Sequence, residues 1–246
     1  MIEINFNNRD YVSLLQTTAR FFNVLMEENL LHLPLSMGAG FFSAYNLPDG
    51  LSVMINDANF NDGLLIRRHS VTNQQYFILQ FNEPLTHSAG DYGSSTEQHV
   101  YDIPKNSILL TSSLMDTIFI IPPKIRIRSV RIIFGNDFLN GFIGNEMADK
   151  FLSNYFSMLL KHRTREPIGT DYRIIMDELI KEKIEHPLRL KFIYNRALLL
   201  IEKFVTGFIG KLEKNQQIIK LKDDEISRLI IVESLLVKDY SGVPPT

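Results

Sequence analysis

Six histidines, His32, His69, His87, His99, His162 and His186, are the first residues that could hold a metal. A strand-borne metal site commonly uses two ligands two residues apart, so that both point to one side. No pair here has H-x-H or H-x-x-x-H spacing. They read as separate polar or surface groups, with a cluster of His69, His87 and His99 as the alternative. The chain has no cysteine, which removes thiolate ligands, a thiol nucleophile and any disulfide scaffold. It has no G-x-S-x-G elbow and no glycine-rich phosphate cradle, and Gly38-Ala39-Gly40 reads as a turn before the first strand of a barrel. No catalytic residue, metal or cofactor is expected.

The arginines offer different chemistry. In Lys124–Arg131 (KIRIRSVR), Ile125 and Ile127 share one strand face, and Arg126 and Arg128 share the other. That is the pattern of a half-exposed strand. It would also suit an arginine aimed into a cavity to pair with an anion. Arg67 and Arg68 fall on opposite faces of their strand, so one of them points inward. A lining could come from Tyr76, Ile78 and Gln80, or from their opposites Phe77, Leu79 and Phe81. The candidate ligand-binding set is Arg68, Tyr76, Ile78, Gln80, His87 and Arg128. Thr86–Ser95 (THSAGDYGSS) is small and polar, reads as a mobile loop and is the candidate lid.

These residues need strands to position them. A first helix is expected after Asp10, on the spacing of Val12, Leu15, Ala19, Phe22 and Val24. Strands are expected at Phe41–Leu47 and Leu51–Asn56, around the turn Pro48-Asp49-Gly50. Beyond Asn61-Asp62-Gly63, Leu64–Val71 and Gln75–Phe81 read as a hairpin-like pair. Further strands are expected at His99–Ile103, Ser107–Thr111, Thr117–Ile121 and Ile125–Phe134. Short strands at this spacing indicate an antiparallel sandwich or barrel.

The period changes near Gly135. Asn145 can cap a helix with Met147, Phe151, Tyr155, Met158 and Leu159, and Thr170 can cap a second. Pro187 suits the first position of a long helix over 187–213. Asp223 or Asp224 would start a fourth helix, to about Val237. Strands first and helices after make an α+β chain, with a boundary at about 135–145. The long helix carries apolar residues over more than the ~100° of one buried face. Its stripe, including Leu200, Phe204 and Phe208, is expected to meet a second copy of the chain.

Bulk composition limits the partners. The 246 residues include 26 basic and 28 acidic side chains, a formal charge of −2. A stand-alone nucleic-acid binder usually has a basic surplus. No apolar run approaches the ~18 residues of a membrane span, and the first ten residues lack the apolar core of a secretory signal. A cytoplasmic location is expected.

Lys222–Thr246 (KDDEISRLIIVESLLVKDYSGVPPT) resembles the first helix and following turn of an AraC-type DNA-binding domain. Leu47–Phe60 resembles an early strand pair in the cupin-like sensor domain of such regulators, as do Ser107–Ser113, Pro122-Pro123 and the strand ending at Phe134. The resemblance implies a cupin-like antiparallel β-barrel sensor (1–140), a helical dimerisation region (141–221) and the start of a truncated DNA-binding domain (222–246). It implies a homodimer with a small-molecule effector, touching DNA only through the missing C-terminal part. A cupin-like enzyme, metal-dependent or metal-free, and a ligand-free dimerisation module are the alternatives.

Overall fold

A computed structural model describes residues 2–6, 10–71, 75–85, 101–102, 107–162, 166–181 and 187–214. The strands are β1 (Ile2–Phe6), β2 (Leu30–His32), β3 (Gly38–Asn46), β4 (Ser52–Phe60), β5 (Leu64–Arg68), β6 (Tyr76–Pro84), β7 (Tyr101–Asp102), β8 (Ser107–Ser112), β9 (Thr117–Ile121), β10 (Arg126–Gly135) and β11 (Glu166–Pro167). The helices are α1 (Tyr11–Phe22), α2 (Asn136–Ile143), α3 (Asn145–His162), α4 (Thr170–Ile180) and α5 (Arg189–Lys214).

The strands make two sheets. The larger has the order β11-β8-β6-β10-β4-β3-β2, with every neighbouring pair antiparallel. It ends in two edges and does not close on itself, so it is not the expected barrel. The smaller sheet, β1-β5-β9-β7, contains parallel pairs at β1–β5 and β7–β9. Leu64–Val71 and Gln75–Phe81 do not form a hairpin, because β5 pairs with β1 and β9 while β6 joins the other sheet. The cause lies in the β8–β9 connection. Val71 N donates to Ser113 O, and Ser70 N donates to the Asp116 carboxylate at 2.6 Å. These bonds lead the end of β5 along β9.

Side chains alternate across the large sheet and feed two cores. On one face Val53, Ile55, Phe77, Leu79, Phe81, Val130, Ile132 and Phe134 pack against the helices, including Phe151, Tyr155, Phe204 and Phe208. On the other face Met54, Ala58, Phe60, Tyr76, Ile78, Ile127 and Ile133 pack against α1 and the small sheet. A strand buried on both faces reads as a nearly continuous apolar run, so its composition does not say which face meets which layer.

Local chemistry sets the helix starts. Asp10 caps α1, its carboxylate accepting from Ser13 N at 2.7 Å. Gly169 caps α4, with Thr170 as its first residue rather than its cap. α2 was not expected, since the helical region read as starting at Asn145. α5 begins at Arg189, after a turn at Pro187 and Leu188. The proposed helix after Asp223 lies outside the described residues.

Gly38-Ala39-Gly40 opens β3 itself rather than forming a turn before it. Gly40 has φ +115°, and a Cβ there would lie 2.1 Å from the Asp57 carbonyl oxygen on β4. Only glycine lets the two backbones come this close.

The exposed edge of β8 is managed by a side chain. β11 pairs only with Ser107 and Ile108, and beyond it Leu110 N donates to the Tyr155 hydroxyl of α3 at 2.9 Å. That bond satisfies a backbone donor and fixes α3 on the sheet. No helix among the described residues is long and apolar enough to cross a membrane.

Candidate functional site

The space between the sheets holds an unusual set of buried polar groups. Arg68 closes β5 on the same side as Leu64 and Ile66, and Arg67 on the opposite side pairs with Glu3 at 2.7 Å. The expectation that one of the two points inward is met by Arg68, which is 2% exposed. Its Nε donates to Thr117 Oγ1 at 3.0 Å, and its Nη2 donates to the Ser112 and Met115 carbonyls at 2.9 and 3.1 Å. These bonds fasten the β8–β9 connection, which joins the two sheets. Nη1 has no hydrogen-bond partner.

The second inward cation is Arg131 of β10, opposite Met54 on one side and Gln80 on the other. It lines a partly open cavity of about 40 Å³. The rest of the lining is mostly apolar: Leu14, Leu15 and Phe22 from α1, and Phe42, Met54, Phe60, Leu64, Ile66, Ile121 and Ile127 from the sheets, with Thr18 and Asn56 as polar members. The volume exceeds the ~10–15 Å³ that one water needs. It suits the end of a short alkyl chain.

Electrostatics link the two arginines through tyrosines. Burial pushes the Tyr11 phenol up to about 12, against the pull of Arg131 and Arg68. Tyr11 is therefore neutral at ordinary pH. Burial holds the Arg68 guanidinium below its usual range, with Tyr76, Tyr11 and Asp116 opposing the shift and Arg131 adding to it. Burial also lowers Arg131. Arginine nevertheless keeps its charge. The region thus carries two buried positive charges, and among the described residues Asp116 is an acid that bears on Arg68.

The register of β6 decides which of its two faces meets which layer. Tyr76, Ile78 and Gln80 face the space between the sheets, and Phe77, Leu79 and Phe81 face the helices. Gln80 is 1% exposed, and neither its Nε2 nor its Oε1 has a hydrogen-bond partner.

Arg128 does not join this site. It points to the helix side, where it pairs with Glu83 at 3.3 Å and with Asp177 of α4. Arg173 reaches the same Glu83 at 2.9 Å. Two residues, Ser129 and Val130, separate Arg128 from Arg131, an odd step along the strand, so the pleat puts them on opposite faces. Arg126, on Arg128's side, pairs with Asp57 at 2.6 Å and stays exposed. Arg131 was in the run singled out from the sequence, but the 126/128 alternation drew attention to the wrong face. Its parity with Ile127 and Ile133 was the available signal.

His87 and the 86–95 loop lie outside the described residues, as does His99. His69 and His32 are exposed. Among the described residues, no group of three or more His, Cys, Asp or Glu could hold a metal ion. Leu200, Phe204 and Phe208 of α5 are 0%, 1% and 3% exposed within the single chain. Phe204 and Phe208 meet Tyr155 edge-on, with ring centroids 5.5 and 5.2 Å away. These side chains fill the chain's own core and present no free surface to a second copy.

No protein-family model matches the chain, and no curated protein matches it.

Proposed function

We propose that this chain is the sensing part of an AraC-type transcriptional regulator, acting as a homodimer, and that it binds a small anionic effector between its two sheets. One observation carries the ligand reading: the buried side chain of Arg131 lines an apolar cavity between the sheets, and a second buried arginine, Arg68, closes β5 on the same side as the cavity residues Leu64 and Ile66. A carboxylate would gain charge-assisted hydrogen bonds there in a setting with little competing water. Its apolar part would enter the cavity under α1. Two sheets stacked around a ligand space support the cupin-like reading at the level of architecture. The AraC-type reading rests on the sequence resemblance of residues 222–246 and on the order of strands before helices.

Binding would act on DNA through packing. An effector that touches α1 and both sheets can bias their arrangement only by preferring one of two states. The test is thermal unfolding with acetate, butyrate and benzoate at millimolar concentrations. Ligand that binds only the folded chain raises the midpoint by mass action. The expected result is a rise with at least one acid that is lost in a folded Arg131→Met variant. No rise with any of them, or equal rises in the variant, would overturn the proposal.

A further inference from the structure

The polar groups on the inner face of the large sheet divide into two sets. Near β4, Asn56 and Ser129 satisfy one another, and Asn56 Nδ2 also donates to the Ile127 carbonyl at 3.3 Å. On the β6–β8 side they do not. Both side-chain polar atoms of Gln80 lack partners, and so do Asn82 Oδ1 and Ser107 Oγ. These three residues are 1%, 3% and 4% exposed. Asn82 is two residues along β6 from Gln80 and pairs in register with Ser107 of β8, while Gln80 pairs with Arg131 of β10. Four unpaired atoms on one buried patch depart from the rule that buried polar groups find partners.

We infer that Gln80, Asn82 and Ser107 form a second subsite, which reads a neutral hydroxyl or carboxamide on the same molecule whose anionic group meets Arg131. The inference rests on the ligand site proposed above. The chemistry selects the neutral group. A carboxylate only accepts hydrogen bonds, so it could satisfy Gln80 Nε2 but would face the Gln80 and Asn82 carbonyl oxygens lone pair to lone pair. A carboxamide, with two N–H donors and a carbonyl acceptor, can meet all of them, and a hydroxyl donates to one of these oxygens while accepting from Gln80 Nε2. A ligand lacking that group leaves the buried atoms unpaired, a penalty that discriminates strongly between otherwise similar molecules. The preferred effector is therefore a small hydroxy acid or amide-bearing acid, bound more tightly than a plain carboxylate.

Butyrate and 3-hydroxybutyrate differ by one hydroxyl and make a direct test by calorimetric titration. The wild-type chain is expected to bind the hydroxy acid about tenfold or more tightly than butyrate. Gln80→Leu should reduce hydroxy-acid binding to the butyrate level and leave butyrate unchanged. The same variant, measured alone, should unfold a few degrees higher, because leucine removes an unpaired buried amide. Equal wild-type affinity for the two acids, with both lost in Arg131→Met, would keep the anion site and overturn this subsite. A lower unfolding midpoint in Gln80→Leu would also overturn it, by showing that Gln80 is structural. Binding of neither acid would remove the anion site and the inference together.

Discussion

A buried phenol reports on its surroundings through the pH at which it ionises. Tyr11 is 2% exposed at the start of α1, beside Arg68 and Arg131, and burial outweighs both cations to push its pKa up to about 12. An unfolded tyrosine ionises near 10. Below about pH 10 the phenol is protonated in both states and makes stability no more or less pH-dependent. Between about 10 and 12 the unfolded chain releases the proton first, so stability falls as pH rises, by up to about 2–3 kcal/mol. Tyr11→Phe should flatten that part of the stability curve, read as urea midpoints across alkaline pH. A variant curve as steep as the wild type would show that Tyr11 is not the buried phenol responsible. Individual residues were unevenly legible. That Arg67 or Arg68 points inward follows from strand alternation alone. Choosing Arg128 over Arg131 failed because β10 is buried on both faces, and alternation cannot tell the helix layer from the second sheet.

Elements were legible where a local signal decides them. Asp10 announces α1, and the apolar spacing announces α3, α4 and α5. Sheet partnership was not legible, because it depends on distant bonds. The apparent β5–β6 hairpin dissolves when Ser70 and Val71 bond to the 113–116 connection, contacts between segments more than forty residues apart. Glycine pattern also misled at β3. Gly38-Ala39-Gly40 looks like a turn, yet it is strand, held against the β4 backbone. Gly40→Ala would put a Cβ 2.1 Å from Asp57 O, at a φ of +115° that alanine rarely adopts. Neither a rotamer change nor a small shift relieves a clash with backbone. The expected cost is at least about 2 kcal/mol, from strain and lost β3–β4 pairing. Chemical denaturation measures it, and hydrogen exchange should show the loss concentrated in β2, β3 and β4. Unchanged stability would mean that the two strands can part there without cost.

At the scale of the whole molecule, one apolar cluster runs from the large sheet through α2, α3, α4 and α5. The helical region therefore packs directly on the sheet, and the wide stripe of α5 that suggested a second copy is explained by packing on several sides of its own chain. The reading of a homodimer must then use other surface. Leu188 and Leu190, at the start of α5, are 64% and 38% exposed, and Ile174 of α4 is 55% exposed. Two outcomes separate these roles. Phe204→Ala should destabilise the chain by about 3–5 kcal/mol, as a large side chain removed from a packed core does. In the fraction that stays folded, its mass by light scattering should match the wild type. Leu190→Glu should do the reverse, leaving the unfolding midpoint of the subunit nearly unchanged while halving the mass at micromolar concentration. A wild-type chain that is already monomeric there would sink the constitutive dimer. If Phe204→Ala instead halved the mass with little loss of stability, α5 would have to leave the core to meet its partner, and the burial of Phe204 in the single chain would describe only the undimerised state.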